Sequence, residues 1–151
     1  MKTLRHLAVV VFLVAVCASF SLADEPGKHP HYLHALSDLR DARAHLERIT
    51  PSDKQNDEEM RAIDEIDHAI AEIKKASIDD GKDIHDHMPV DTHLGHRGRY
   101  HKALELLDKA HNDVAREEDD PYTRGLRDRA IHHIDEAHRT VDHLIINAAG
   151  D

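Results

Sequence analysis

The residues best suited to chemistry are histidines and aspartates that alternate in one segment near the middle of the chain. This segment carries His85, Asp86, His87, Asp91, His93 and His96. His-x-His and His-x-x-His spacings place imidazoles close together, and imidazole combined with carboxylate is a donor set for Zn, Cu(II) or Ni. The segment is therefore predicted to bind a divalent transition metal through these six residues. A polar linker in a histidine-rich protein is the alternative interpretation.

A second candidate metal set lies on predicted helices, where an acid and a histidine three residues apart share one face. It consists of Asp108, His111, Asp135 and His138. Bundles that hold metals in their core use acid-x-x-His pairs of this kind. The first half of the chain, however, carries Arg40 and Arg43 where the second carries Asp108 and His111. We therefore favour ion pairs from these arginines to Asp67 and the two aspartates of the set, with its two histidines facing inward among them.

Motifs of catalysis are missing from the sequence. It contains no GxSxG, no phosphate-binding glycine loop, no HExxH and no CxxCH haem attachment. No enzyme, haem or nucleotide cofactor is therefore predicted. The formal net charge of -10 also argues against a nucleic-acid partner, which requires a basic face.

The first 23 residues have the pattern of a secretory signal peptide. A basic start with Lys2 and Arg5 precedes the apolar run Leu7 to Phe20, and small residues end at Ala23. Cleavage there removes the single cysteine and two basic residues, so the exported chain has no disulfide and a net charge of -12. We expect a periplasmic or secreted protein without stable membrane insertion after cleavage.

Helical spacing of apolar residues predicts four helices and no strand. The first helix is expected at Pro30 to Ile49 and the third at Arg97 to Glu118. The second is expected to start between Ser52 and Asp57 and to end at Asp80-Gly81, and the fourth is expected to start at Asp120-Pro121. A signal peptide at 1–23 and a short tail at 24–29 would precede a bundle at 30–151. The bundle divides into hairpin 1 at 30–80, a histidine-rich linker at 81–98 and hairpin 2 at 97–148.

The two hairpins resemble each other when the chain is shifted by 68 positions. Arg61-Ala62-Ile63 then meets Arg129-Ala130-Ile131, and Tyr32 meets Tyr100. Most matches are apolar and helically spaced, so a packing unit is predicted to have been duplicated in tandem. Short connections within each hairpin favour an all-α, up-down-up-down four-helix bundle. The chain is expected to be a monomer or a homodimer, since open hairpins could also complete their core by dimerising.

Several stretches resemble a group of small exported bacterial helical proteins known only as hypothetical. They are residues 29–40, 72–83, 96–101 and 112–121. The likeness covers most of the exported chain and implies a helical protein of bacterial origin. It implies no activity, ligand or catalytic residue.

The remaining histidines are expected on exposed faces, with His34 and His45 outside the first helix and Glu65/His68 away from the apolar stripe of the second. Charging all 15 histidines of the exported chain would change its net charge from -12 to +3.

Three hypotheses follow. The first is a non-enzymatic bundle that binds or buffers divalent metal, the second a pH-responsive envelope stress or chaperone-like protein, and the third a structural or interaction module without a ligand.

Overall fold

The part of the chain that the structure describes folds into four α-helices. A computed structural model describes residues 30–47, 55–75, 81–91, 93–116 and 124–148. Within these ranges lie α1 (Pro30–Leu46), α2 (Asp57–Lys75), α3 (His96–Arg116) and α4 (Arg124–Asn147), without a strand. The predicted all-α fold is confirmed. The predicted signal peptide, the tail at 24–29 and the helix start at Asp120-Pro121 lie outside the described residues.

The start of α2 shows how local sequence sets a helix boundary. Asn56 Oδ1 accepts the backbone N–H of Glu59 at 2.7 Å, and Glu59 Oε2 accepts the backbone N–H of Asn56 at 2.9 Å. This reciprocal capping box satisfies amides that have no partner within the helix. Acids fill the first turn and Lys74 and Lys75 the last, which complements the helix dipole.

The direction of each helix follows from contacts at its ends. Arg99, near the start of α3, donates to the backbone carbonyls of His45 and Glu47 at the end of α1, at 3.2 and 2.9 Å. At the opposite end, His31 of α1 lies 3.5 Å from Asp113 of α3. Helices α1 and α3 are therefore antiparallel.

Helices α2 and α4 are also antiparallel, because Glu58 lies beside Asn147 and Glu72 beside Arg129. The hydroxyl of Tyr100 donates to Glu59 at 2.6 Å, which places the starts of α2 and α3 at the same end. The closest packing joins α2 to α4 and α1 to α3, while α1 with α4 and α2 with α3 lie on the diagonals.

The predicted up-down-up-down topology is therefore wrong, and the order is up-down-down-up. The physical reason lies in the connection between Lys75 and His96. Helix α2 is about 28 Å long at 1.5 Å per residue, and α3 begins at the end where α2 began. The linker must return along the whole bundle, as in bundles with a long crossover. The topology therefore requires a long linker.

Alanines lie among the larger residues of the core and let the helices approach closely. The apolar residues predicted to face inward are mostly buried, including Leu36, Leu39, Ile66, Leu107 and Ile134. Within the described residues, no helix is long and apolar enough to cross a membrane.

His45 is buried where exposure was expected. Predicted on the outer face of α1, it is only 9 % exposed, and Arg40, five residues earlier, is 1 % exposed. The linker and α3 cover this side of α1, which the up-down-up-down arrangement did not anticipate.

Candidate metal sites

The predicted linker site is held against α1 by its backbone. Arg40 Nε donates to the carbonyl oxygen of Asp86 at 3.2 Å, and the backbone N–H of Met88 donates to Asp41 Oδ1 at 2.8 Å. His85 lies 3.4 Å from Arg43 Nη1 and 3.8 Å from Glu47 Oε1. A guanidinium next to His85 disfavours a cation at that imidazole.

The other linker candidates have local partners. Asp91 Oδ1 accepts the backbone N–H of His93 at 2.9 Å, and the ring of His87 bonds to the carbonyl oxygen of Met88 at 2.8 Å. His96 packs edge-on against Tyr100, 3.9 Å from Glu59. Within the described residues, two groups of three His, Asp or Glu side chains have donor atoms that all lie within 4.8 Å of one another. Neither group contains a linker residue. The linker site stays a prediction.

One such group joins α2 to α4 and consists of Glu65, His68 and His133. The Nδ1 atom of His133 lies 2.6 Å from Glu65 Oε2, and the rings of His68 and His133 have centroids 5.1 Å apart. The side chains of Glu65 and His133 are about a quarter exposed. One turn before His133, Arg129 donates to Glu72 at 2.8 Å, a carboxylate that it shares with Lys75.

A second group joins α1 to α3 and consists of His31, His34 and Asp113. The rings of His31 and His34 meet edge to face with centroids 6.5 Å apart. Nearby, burial raises the pKa of Asp38, and the negative charges of Asp113 and Asp41 raise it further, against the opposing effect of Lys109.

The second-choice set predicted from sequence forms two crossed pairs between α3 and α4. His138 Nε2 lies 3.1 Å from Asp108 Oδ1, and His111 Nε2 lies 3.5 Å from Asp135 Oδ1. These histidines were expected to face inward, but their side chains are 35 % and 39 % exposed. They lie at the rim of the seam because Leu107 and Ile134 fill the space beneath them.

The predicted arginine pairs are only partly present. Arg43 Nε donates to Asp67 Oδ1 at 2.7 Å, which confirms that pair, and Arg43 also contacts Glu47. Arg40 is directed to the linker carbonyl of Asp86. Asp135 is distant from both arginines because α1 and α4 lie on a diagonal. Asp108 and Asp135 pair with His138 and His111 instead.

Sequence reasoning missed the α2–α4 group because it placed Glu65 and His68 in solvent. A signal was nevertheless available, because Glu65 and His133 are separated by the same 68 positions that relate the predicted hairpins. If matching helices lie antiparallel and side by side, a residue near the middle of one helix meets its own counterpart. The incorrect topology concealed this pairing.

Fold and side chains together define the class: an all-helical bundle with imidazole–carboxylate groups between its helices. No protein-family model, curated protein or solved structure matches this chain.

Proposed function

We propose that this protein is a non-enzymatic bundle that binds and buffers divalent transition metal ions at the α2–α4 group. The observation that carries the proposal is the convergence of Glu65, His68 and His133, whose donor atoms lie within 4.8 Å of one another. Two imidazoles and a carboxylate suit Zn(II), Cu(II) and Ni(II).

The geometry favours an exchangeable ion. Zinc binds nitrogen and carboxylate oxygen at about 2.0–2.2 Å, so small side-chain rotations would bring the three donors around one ion. Three protein ligands leave at least one position of a tetrahedral zinc for water. Because the site is also partly exposed, an ion can enter and leave without opening the bundle, which suits buffering better than permanent structural binding.

The group on α1 and α3 supports the same proposal. His31, His34 and Asp113 supply the same kinds of donor on the other side of the bundle. Both groups join a helix of one hairpin to a helix of the other. Metal binding would therefore hold the hairpins together and raise the free energy of unfolding in proportion to the logarithm of metal concentration.

Calorimetric zinc titration of protein purified without a histidine tag tests the proposal. We expect the variant Glu65→Gln/His68→Ala/His133→Ala to lose at least about 100-fold in affinity at one site, since loss of an outer partner alone costs about 10–100-fold. The variant His85→Ala/His87→Ala/His93→Ala/His96→Ala separates this site from the linker prediction.

The matched control is His143→Ala, which removes an exposed histidine from α4 and leaves His132, whose ring contacts His133, in place. Affinity at the α2–α4 site should survive in this control and in the linker variant. An isotherm of the Glu65/His68/His133 variant that superimposes on the wild-type isotherm would refute the proposal.

We also propose that the chain is exported and that its hairpins arose by duplication. Export is supported by the pattern of residues 1–23, and intact-mass measurement of periplasmic protein should give a chain that begins at Asp24. Duplication is supported by the ion pairs Arg43–Asp67 and His111–Asp135, which occupy positions shifted by 68. A periplasmic mass that includes residues 1–23 would contradict cleavage.

The second candidate function is that of a pH-responsive envelope protein. It is favoured by the burial of His45, which lowers the pKa of this imidazole, as do the charges of Lys102, Arg99 and His87 against the opposing effect of Asp41. Acidification would introduce an unfavourable charge between α1 and α3. Sedimentation at pH 7 and pH 5 in the presence of a chelator tests it, and coincident profiles would count against it.

A further inference from the structure

The crossed pairs between α3 and α4 surround a small pocket on the outside of hairpin 2. Its volume is about 180 Å³, and its walls are Asp108, His111, Asp135 and His138 above Leu107 and Ile134. The four polar side chains, here named the quartet, are between 35 % and 64 % exposed. Ions in solvent can therefore reach every donor.

The antiparallel arrangement explains why the pairs cross. Each helix provides one carboxylate and, three residues later, one imidazole, so each imidazole faces the carboxylate of the other helix. Both histidines direct Nε2 at these carboxylates, at 3.1 and 3.5 Å. As exposed contacts these pairs contribute little to stability. Two imidazoles and two carboxylates are a donor set for a four-coordinate divalent metal. Because no three of their donor atoms lie within 4.8 Å of one another, side-chain rotations must bring the two pairs together around the ion.

The first hairpin provides an internal comparison. At the positions 68 residues earlier it carries Arg40, Arg43, Asp67 and Ile70. There the Arg43 guanidinium binds Asp67 at 2.7 Å and supplies a permanent positive charge. The quartet has no arginine, and it has two carboxylates where the matching positions of hairpin 1 have one. A bound cation would supply the positive charge that Arg43 provides in hairpin 1.

The cations that were expected to oppose a metal at the quartet lie elsewhere. Arg43 binds Asp67 and Glu47 beside α2, and Arg40 is directed to the linker. On the helices of the quartet itself, Lys109 is paired with Glu105, and Arg139 is paired with Glu136. Arg40 and Arg43 therefore do not oppose a cation at the quartet.

We propose that the quartet is a second binding site for a divalent cation of the Zn(II), Co(II) or Ni(II) type. It uses none of the residues of the α2–α4 group, so either site can fail without the other. Both carboxylates would remain ionised and both Nε2 atoms would turn from the carboxylates to the ion.

Cobalt(II) titration tests the quartet, because tetrahedral Co(II) has strong visible d–d absorption. The background is the Glu65→Gln/His68→Ala/His133→Ala variant, in which the α2–α4 site no longer contributes. Adding Asp108→Arg/His111→Arg/His138→Ile installs the residues of hairpin 1 at the quartet. We expect this addition to weaken cobalt binding at one site by at least about 100-fold.

Two further variants make the outcome decisive. Asp108→Asn/Asp135→Asn keeps the shape of the side chains and should also lose the cobalt site, which covers the case in which the arginine variant fails to fold. His132→Ala/His143→Ala on the same background should keep it. Cobalt spectra that are unchanged by Asp108→Asn/Asp135→Asn, or a background variant with no tetrahedral cobalt absorption, would overturn the proposal.

Discussion

At the scale of single residues, His45 has the most unusual environment among the histidines of the described chain. Its ring is 9 % exposed near the end of α1, and its backbone carbonyl accepts a hydrogen bond from Arg99. Burial lowers the pKa of His45, and the nearby charges of Lys102 and Arg99 lower it further. The folded protein therefore resists protonation at this position.

This environment predicts the direction of a pH effect on stability. Because the folded-state pKa lies below that of the unfolded chain, the unfolded chain binds more protons between the two values. The contribution of His45 is present above the ordinary imidazole pKa of about 6.5 and is lost as pH falls through the folded-state value.

The His45→Gln variant should consequently lose less stability than the wild type between pH 7.5 and pH 5, with a chelator present throughout. Thermal unfolding at a series of pH values measures this difference. His143→Gln, at an exposed position on α4, is the matched control and should follow the wild type. Identical pH dependence in His45→Gln and the wild type would show that burial does not perturb this imidazole.

At the scale of elements, the capping box of α2 predicts a measurable contribution to stability. Replacing Asn56 by Ala removes the acceptor for the Glu59 amide and should lower the free energy of unfolding by about 1 kcal/mol. Asn112→Ala is the control, because Asn112 lies within α3 and alanine is the better helix former. Urea unfolding distinguishes the two, and equal midpoints would contradict the assigned cap.

The close packing of α2 against its neighbours gives a second prediction at this scale. Ala69 is completely buried, whereas Ala71 on the same helix is exposed. Ala69→Leu should destabilise the protein by about 1–3 kcal/mol because added methyl groups have no space. Ala71→Leu should be nearly neutral. Equal effects of the two substitutions in urea unfolding would mean that the seam is not tightly packed.

The helices themselves were predictable from sequence, because apolar residues such as Leu36, Ile66 and Val141 recur at helical spacing and are buried. The sequence placed the start of α2 only between Ser52 and Asp57, and the structure places its cap at Asn56. The directions of the helices were not predictable, since the same apolar stripes satisfy either order of packing. The metal groups depend on those directions. Glu65 meets His133 only because α2 and α4 are neighbours, which no local pattern reveals.

At the scale of the whole molecule, the up-down-down-up order makes the linker a structural requirement. Six residues span at most about 20–22 Å, less than the length of about 28 Å along which the linker must return. Replacing residues 76–95 by six Gly/Ser residues should therefore abolish the wild-type arrangement of helices within one chain, giving unfolded protein or a form exchanged between chains.

A Gly/Ser linker of the original length is the control for this experiment. It should keep the helical content and the sedimentation behaviour of the wild type. Its stability should be lower because the packing of Ile84 against the core is lost and a Gly-rich chain loses more conformational entropy on folding. A short-linker variant with wild-type mass and helicity would instead support the up-down-up-down order.

The central claim is that α2 and α4 hold a metal ion between them. Crystals soaked in zinc and measured at the zinc absorption edge locate bound ions directly. We expect an anomalous peak within about 2.0–2.2 Å of Glu65, His68 and His133. Zinc found only at linker histidines, with no peak between α2 and α4, would contradict the claim.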